Sequence, residues 1–295
     1  MPIPLSGHSE PQSPSLAGDA PLLVFGGPYS NLRATLAMQA EAERLRIPPQ
    51  RVICTGDVVA YCAEPEETVA AVRAWGCPTI QGNCEEQLAL AAEDCGCGFE
   101  QGSACDQLAK GWYPFANARV SDASRVWMSR LPRSIGFDYG GLRFRVVHGG
   151  VRQINRFVFA SQTELLAEEL ALAAADVVIG GHAGVPFIRN TPRGVWFNPG
   201  VIGMPANDGT TGGWYGLIEP GPDGAVRLST HRLRYAHAAA AAAMRKSGYA
   251  DAYARALITG LWPSTDVLPA TELAARGMPI AATELVISRQ LAATA

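Results

Sequence analysis

Charge is what this sequence has least of. Asp, Glu, Lys and Arg make up 17% of its 295 residues, against roughly a quarter in an ordinary soluble domain. The 24 basic and 27 acidic side chains leave a formal net charge of −3. Binding to a phosphate backbone needs a basic excess or stripe, so no nucleic-acid partner is expected. Long apolar runs are lacking too. No window approaches the roughly 18 to 20 uninterrupted apolar residues that span a bilayer, so no membrane segment is expected either. The opening stretch MPIPLSGHSEPQSPSLAGDA has no basic-then-apolar layout of an export signal, which predicts a cytoplasmic protein. Seven cysteines are present. An odd count without an export signal argues against a disulfide framework and leaves burial, metal ligation or redox chemistry as uses of reduced thiols.

What the chain does have is 48% hydrophobic residues together with 31 Gly and 21 Pro, the composition of a globular chain with many turns. Residues 1–20 are rich in Pro, Ser and Gly without a hydrophobic period and are expected to form a disordered leader. From Pro21 the text becomes strand, turn and helix: LLVF, then Gly26-Gly27-Pro28, then helical spacing from Asn31 to Arg46. The unit recurs with RVICTGD and again with CPTIQGN, each followed by a helical stretch. Later strands are expected at Leu142–His148, Asp176–His182, Val195–Gly200, Trp214–Glu219 and Ala225–Leu233. Strands alternating with helices predict an α/β fold with crossover connections. One domain over 21–235 and a helical tail over 236–295, without evident chemistry, is the economical division.

In open α/β sheets the site lies beyond the carboxyl ends of strands. Here those ends read GGPYSN, GD, GN, HGG, GGHAG and NPG, and the polar residues left among the glycines are Asp57, Asn83, His148 and His182. Two imidazoles, a carboxylate and an amide oxygen suit a borderline divalent ion such as Zn²⁺, Mn²⁺ or Fe²⁺. His231 and His237 fall outside these loops.

The ordered series Gly56-Asp57, Gly82-Asn83, His148-Gly149, Gly181-His182 and Asn198-Pro199-Gly200 resembles the calcineurin-like metallophosphoesterase superfamily, in particular small bacterial members related to protein phosphatases and diadenosine-polyphosphate hydrolases. The resemblance runs from about Leu22 to Leu233. It implies a four-layer αββα sandwich of two mixed sheets. Carried over residue by residue, the second metal site of that family survives whole as Asp57, Asn83, His148 and His182. The first does not: its Asp-x-His falls on Gly27-Pro28-Tyr29, and the second His of its Gly-His-x-His falls on Gly184. The His that polarises the leaving group falls on Cys84. The resemblance therefore implies a metal-dependent hydrolase with a remodelled site and one family-type ion.

Tyr29 is then either a replacement ligand, acid or hydrogen-bond donor, or an aromatic filling vacated volume. Cys84 opens a helix, a position that favours a lowered thiol pKa, and is the other candidate acid. Cys95, Cys97 and Cys105 are candidate extra thiolate ligands. A helix from Glu85 to Ala92 would carry the chain about 12 Å from the Asn83 loop, so the Cys segment must fold back to reach the site. Asn31 and Arg152 are candidates to bind substrate, with Arg33 and Arg156 as further cations nearby. The partner expected is a small anionic substrate or a phosphoprotein. Two alternatives of other classes are a silent ligand-binding or regulatory protein on the same scaffold, and a metal-thiolate redox protein using the Cys loop.

Overall fold

The computed structural model describes residues 16–248 and 251–288. Its layers follow from strands that are apolar on both faces. Strand β1 (Leu22–Phe25) sends Leu23 and Phe25 into one apolar cluster and Leu22 and Val24 into another, all four fully buried. A strand buried on both faces needs cover on both sides. Its parallel neighbour β2 (Val52–Cys54), reached through helix α1 (Leu32–Arg44), repeats the pattern with Val52 and Cys54 on one side and Ile53 on the other. Three antiparallel strands, β8 (Gly213–Pro220), β9 (Val226–Leu233) and β10 (Glu284–Ile287), complete a sheet of order β10-β9-β8-β1-β2.

The second sheet has the order β3-β4-β5-β7-β6, with β3 at Ser134–Tyr139, β4 at Leu142–Val147, β5 at Val177–Gly180, β6 at Phe187–Thr191 and β7 at Gly194–Asn198. Strands β4, β5 and β7 are parallel, and β3 and β6 flank them antiparallel. Between the sheets lie Leu22, Val24 and Ile53 from the first and Phe144, Val146, Ile179 and Phe197 from the second. Outside the first sheet pack α1, α2 (Pro65–Trp75), α7 (His237–Ser247) and α8 (Asp251–Thr259). Outside the second, α6 (Thr163–Ala173) sets Leu166 and Leu170 against Val178 and Trp196. The result is the expected αββα sandwich of two mixed sheets. Among the described residues, no helix is long and apolar enough to cross a membrane.

Four local departures from the sequence reading have physical causes. CPTIQGN supplies only an isolated bridge from Thr79 to Cys54, not a strand. The Cys-rich segment, whose residues 94–120 read as an elaborated loop with a short helix, holds the 14-residue α4 (Ala104–Asn117), which Gly111 and Pro114 disguise and which starts where the Ser103 side chain accepts from the Asp106 N–H at 3.2 Å. The expected leader is packed over its last residues: Leu16 is fully buried, Gly18 bridges to Tyr139, and the Arg51 guanidinium donates to the carbonyls of Ala17, Ala20 and Pro21. Residues 1–15 lie outside the described residues. The stretch after 236 is not only helical, because β10 joins the first sheet, and α7 and α8 bury Ala240, Met244, Tyr253 and Leu257 in the same cluster as β1.

If residues 16–20 belong to the folded body, Leu16→Ala should lower unfolding stability by about 2–5 kcal/mol in urea titrations. Leu36→Ala, at a residue 49% exposed, should shift it by less than about 0.5 kcal/mol. Equal effects would place residue 16 outside the cooperative unit.

Candidate metal centre

The carboxyl ends of β2, β4 and β5 reach one edge of the sandwich, where Asp57, His148 and His182 follow them in the chain, and Asn83 opens α3 (Asn83–Ala89) beside them. Two glycines let these loops close on one another. A Cβ on Gly56, whose φ is +91°, would lie 2.6 Å from the Gly82 nitrogen and 3.0 Å from His148 Nδ1. A Cβ on Gly82 would lie 2.4 Å from Asp57 Oδ1. The GD and GN dipeptides are thus two halves of one contact.

His148 Nδ1–H donates to the Thr55 carbonyl at 2.6 Å, which fixes Nδ1 as the donor and turns Nε2 inward. That Nε2 lies 3.1 Å from Asn83 Oδ1, 3.1 Å from His182 Nδ1 and 3.2 Å from Asp57 Oδ2. His182 Nδ1 is 3.7 Å from Asp57 Oδ2. All four residues are buried. A proton on Nε2 can bridge to only one of these three atoms, whereas a cation at the centre can take a lone pair from all four ligand atoms together. Ligand atoms of an ion bound at about 2.1 Å stand about 3.0–3.4 Å apart, so the spacing fits a divalent ion, and Asp57, His148 and His182 form the group able to hold one.

The electrostatics agree with that geometry. Burial opposes ionisation of Asp57, but the two imidazoles beside it hold its carboxyl well below the usual range. Burial likewise opposes protonation of His148, and Asp57 outweighs it, so the His148 pKa is raised. At His182 burial wins and the pKa is lowered.

Glu85 organises the loops from below. Fully buried, it accepts from the backbone N–H groups of Asp57 at 2.7 Å, Val59 at 3.2 Å and Gly82 at 3.0 Å. Burial and the neighbouring Asp57 push its carboxyl up to about 7. Sequence reasoning counted Glu85 only as the start of a helix. An acid two residues after Asn83, in the first turn of α3, was the signal available.

The Cys segment does fold back. Asn83 Nδ2 donates to the Cys95 carbonyl at 2.9 Å and faces Cys97 Sγ at 3.3 Å and Cys84 Sγ at 3.5 Å, which leaves its Oδ1 directed at His148. The thiols that meet are Cys84, Cys95 and Cys97. Cys105 is apart, its Sγ 3.3 Å from Ser264 Oγ. The expected lowering of the Cys84 pKa is not found: burial pushes that thiol up, because the helix start is sealed from water.

Tyr29 is buried beside the site, and burial, then Asp57, push its phenol up. It lines a pocket that opens next to His182; Cys84 does not. Asn31 is fully buried and caps α1, its Oδ1 accepting from the Ala34 N–H at 3.2 Å while its Nδ2 donates to the Gly203 carbonyl at 2.9 Å and Tyr235 Oη at 3.1 Å. Arg152 is exposed and outside that pocket's lining. Arg33 is tied to both Glu64 oxygens at 2.9 Å. Arg156 borders a recess of about 130 Å³ that His148 and His182 also line, and donates to Gln153 at 3.1 Å.

A two-sheet sandwich with an Asp, Asn and two His at its strand ends defines a metallophosphoesterase-type protein. The chain belongs to the calcineurin-like phosphoesterase superfamily, whose domain model matches residues 31–219. Among solved structures, it is similar to a metallophosphoesterase from Sphaerobacter thermophilus, at 21% identity and a TM-score of 0.64 over 82% of this chain and 100% of that one. It is also similar to a hypothetical protein from Pyrococcus horikoshii OT3, at 15% identity and a TM-score of 0.70 over 82% of this chain and 99% of that one. No curated protein matches the sequence.

Glu85→Ala leaves three buried N–H donors without their acceptor and should destabilise the fold by on the order of 3 kcal/mol or more. The exposed control Glu93→Ala should change stability by less than about 0.5 kcal/mol; chemical denaturation of the two variants compares them directly.

Proposed function

We propose that the chain is a metal-dependent hydrolase of small, phosphoester-type anionic substrates, working with one ion held by Asp57, Asn83, His148 and His182. The carrying observation is the Nε2 of His148 facing Asn83 Oδ1, His182 Nδ1 and Asp57 Oδ2 within 3.2 Å. When bound, a divalent ion at such a site lowers the pKa of a water and polarises a phosphoryl oxygen. The residues around it do the positioning. Thr55 holds the His148 ring, the Cys95 carbonyl holds the Asn83 amide, and the imidazoles keep Asp57 ionised.

Carbon atoms support a count of one ion. A Cβ on Gly27 would lie 2.6 Å from both the Tyr29 ring and Val201 Cγ1, and one on Gly184 would touch Trp262 and Val201 at 3.6 Å. The Tyr29 ring and Val201 thus occupy the space a side chain at residue 27 would need, and Trp262 and Val201 lie in ordinary contact distance of one at residue 184. Of the two proton donors expected from the sequence, Tyr29 lines the pocket and can donate its O–H to a substrate oxygen, while Cys84 is 1% exposed and outside the lining.

Purified protein should bind one equivalent of Mn²⁺, Fe²⁺ or Zn²⁺ per chain, with at least about tenfold weaker binding in His148→Ala. Undiminished metal content in that variant would place the ion elsewhere. Hydrolysis of bis(4-nitrophenyl) phosphate should require the same ion. In Tyr29→Phe, kcat should fall about tenfold or more with metal content unchanged.

A further inference from the structure

We infer that the pocket beside His182 is a binding site for one uncharged, ring-sized apolar group, so that the substrate is an ester with an aromatic or aliphatic-ring body rather than a nucleotide or a phosphoprotein. As a statement about substrate this rests on the hydrolase reading; as a statement about a binding site it stands on the pocket alone.

The pocket is a cleft open to solvent, about 580 Å³ with the solvent in its mouth counted. Two aromatic ladders line it. Tyr29 meets Tyr61 edge-on at 4.8 Å and Tyr61 stacks on Tyr253 at 4.6 Å. Phe99 stacks on Phe157 at 6.3 Å, and Phe157 lies over His182 at 4.2 Å. Trp262 adds a third aromatic surface. Among the described residues, no Lys, Arg, Asp or Glu lines the pocket. His182 is shared between this pocket and the metal group, so a ring seated here has its attached polar group beside the ligands.

The walls are fastened by polar bonds at residues whose apolar parts form the lining. The Trp262 backbone N–H donates to Asn207 Oδ1 at 2.8 Å and its indole N–H to the Pro205 carbonyl at 2.6 Å. The Cys105 N–H donates to Asp266 Oδ2 at 3.2 Å, joining the Cys segment to the 262–267 segment. With these donors engaged, what the interior offers a ligand is mostly ring faces and aliphatic carbon, which favour offset or edge-on packing with another ring. A nucleotide's further phosphates, or the charged flanks of a phosphopeptide, would be desolvated there with no cation to pair them.

Calorimetric titration of the full chain with 1-naphthol, in EDTA and again with Mn²⁺, tests this without turnover. Binding should be one to one, equal in both conditions, and at least tenfold weaker in Trp262→Ala and in Val267→Glu. The second variant places a charge in the lining without removing a ring, and it decides alone if Trp262→Ala does not fold. With Mn²⁺ present, 1-naphthyl phosphate should bind at least tenfold more tightly than adenosine monophosphate. No 1-naphthol binding by the unmodified protein, unchanged binding in Val267→Glu, or adenosine monophosphate binding as tightly as 1-naphthyl phosphate would each overturn the inference. A protein that binds no metal but meets the EDTA results would keep the pocket and lose the hydrolase.

Discussion

One hydrogen bond ties the two sheets together where the chemistry is. Thr55 belongs to the end of β2 in the first sheet and His148 to the end of β4 in the second, and the 2.6 Å bond between them crosses the edge of the sandwich. It decides which nitrogen of His148 carries the proton, and through that which atoms Asn83, His182 and Asp57 face. The bond needs close backbones. Gly56 sits under it, and Gly181, where a Cβ would meet Thr55 Oγ1 at 2.4 Å, sits beside it. Glu85 then gathers the N–H groups of the first-sheet loops, so that the electrostatic environment of Asp57 is set by a buried acid on one side and two imidazoles on the other.

Beside that fixed centre the surroundings turn to carbon. A Cβ on Gly27 would meet the Tyr29 ring and Val201 at 2.6 Å, and one on Gly184 would lie in ordinary contact with Trp262 and Val201 at 3.6 Å. The same three side chains are part of the pocket wall. The thiols follow the same logic. Cys84, Cys95 and Cys97 are buried, hold protons tightly, and surround the Asn83 amide.

Residues whose role follows from strand ends were legible in the sequence. Asp57, Asn83, His148 and His182 each sit directly after a strand or a tight glycine turn, and the sandwich brings them together as the α/β rule anticipates. What could not be read were roles set by long-range packing. Asn31 looks like a substrate ligand after the first glycine turn, yet its Oδ1 caps α1 and its Nδ2 donates to the distant Gly203 carbonyl. Cys84 looks activated at a helix start, and burial reverses that. The edge strands β3, β6 and β10 were missed, and in β6 and β10 polar residues break a clean alternation. Trp262 lies in a Pro-containing break between helices, and nothing local announces that it reaches residues some sixty positions earlier.

The route by which the chain closes its first sheet has a bearing on how the protein is made. Strand β10 ends at Ile287 and pairs with β9, and the segment carrying Trp262 and Val267 lies between α8 and that strand. Synthesis proceeds from the amino end, and domains fold largely as units during it. The loops that carry Asp57, Asn83, His148 and His182 are all translated by residue 182, more than a hundred residues before the first sheet can gain its edge strand. Of the aromatic wall, Tyr29, Tyr61, Phe99 and Phe157 are translated by then, and Tyr253 and Trp262 follow. The order of translation therefore sets the four candidate ligands ahead of the last side chains that complete the pocket.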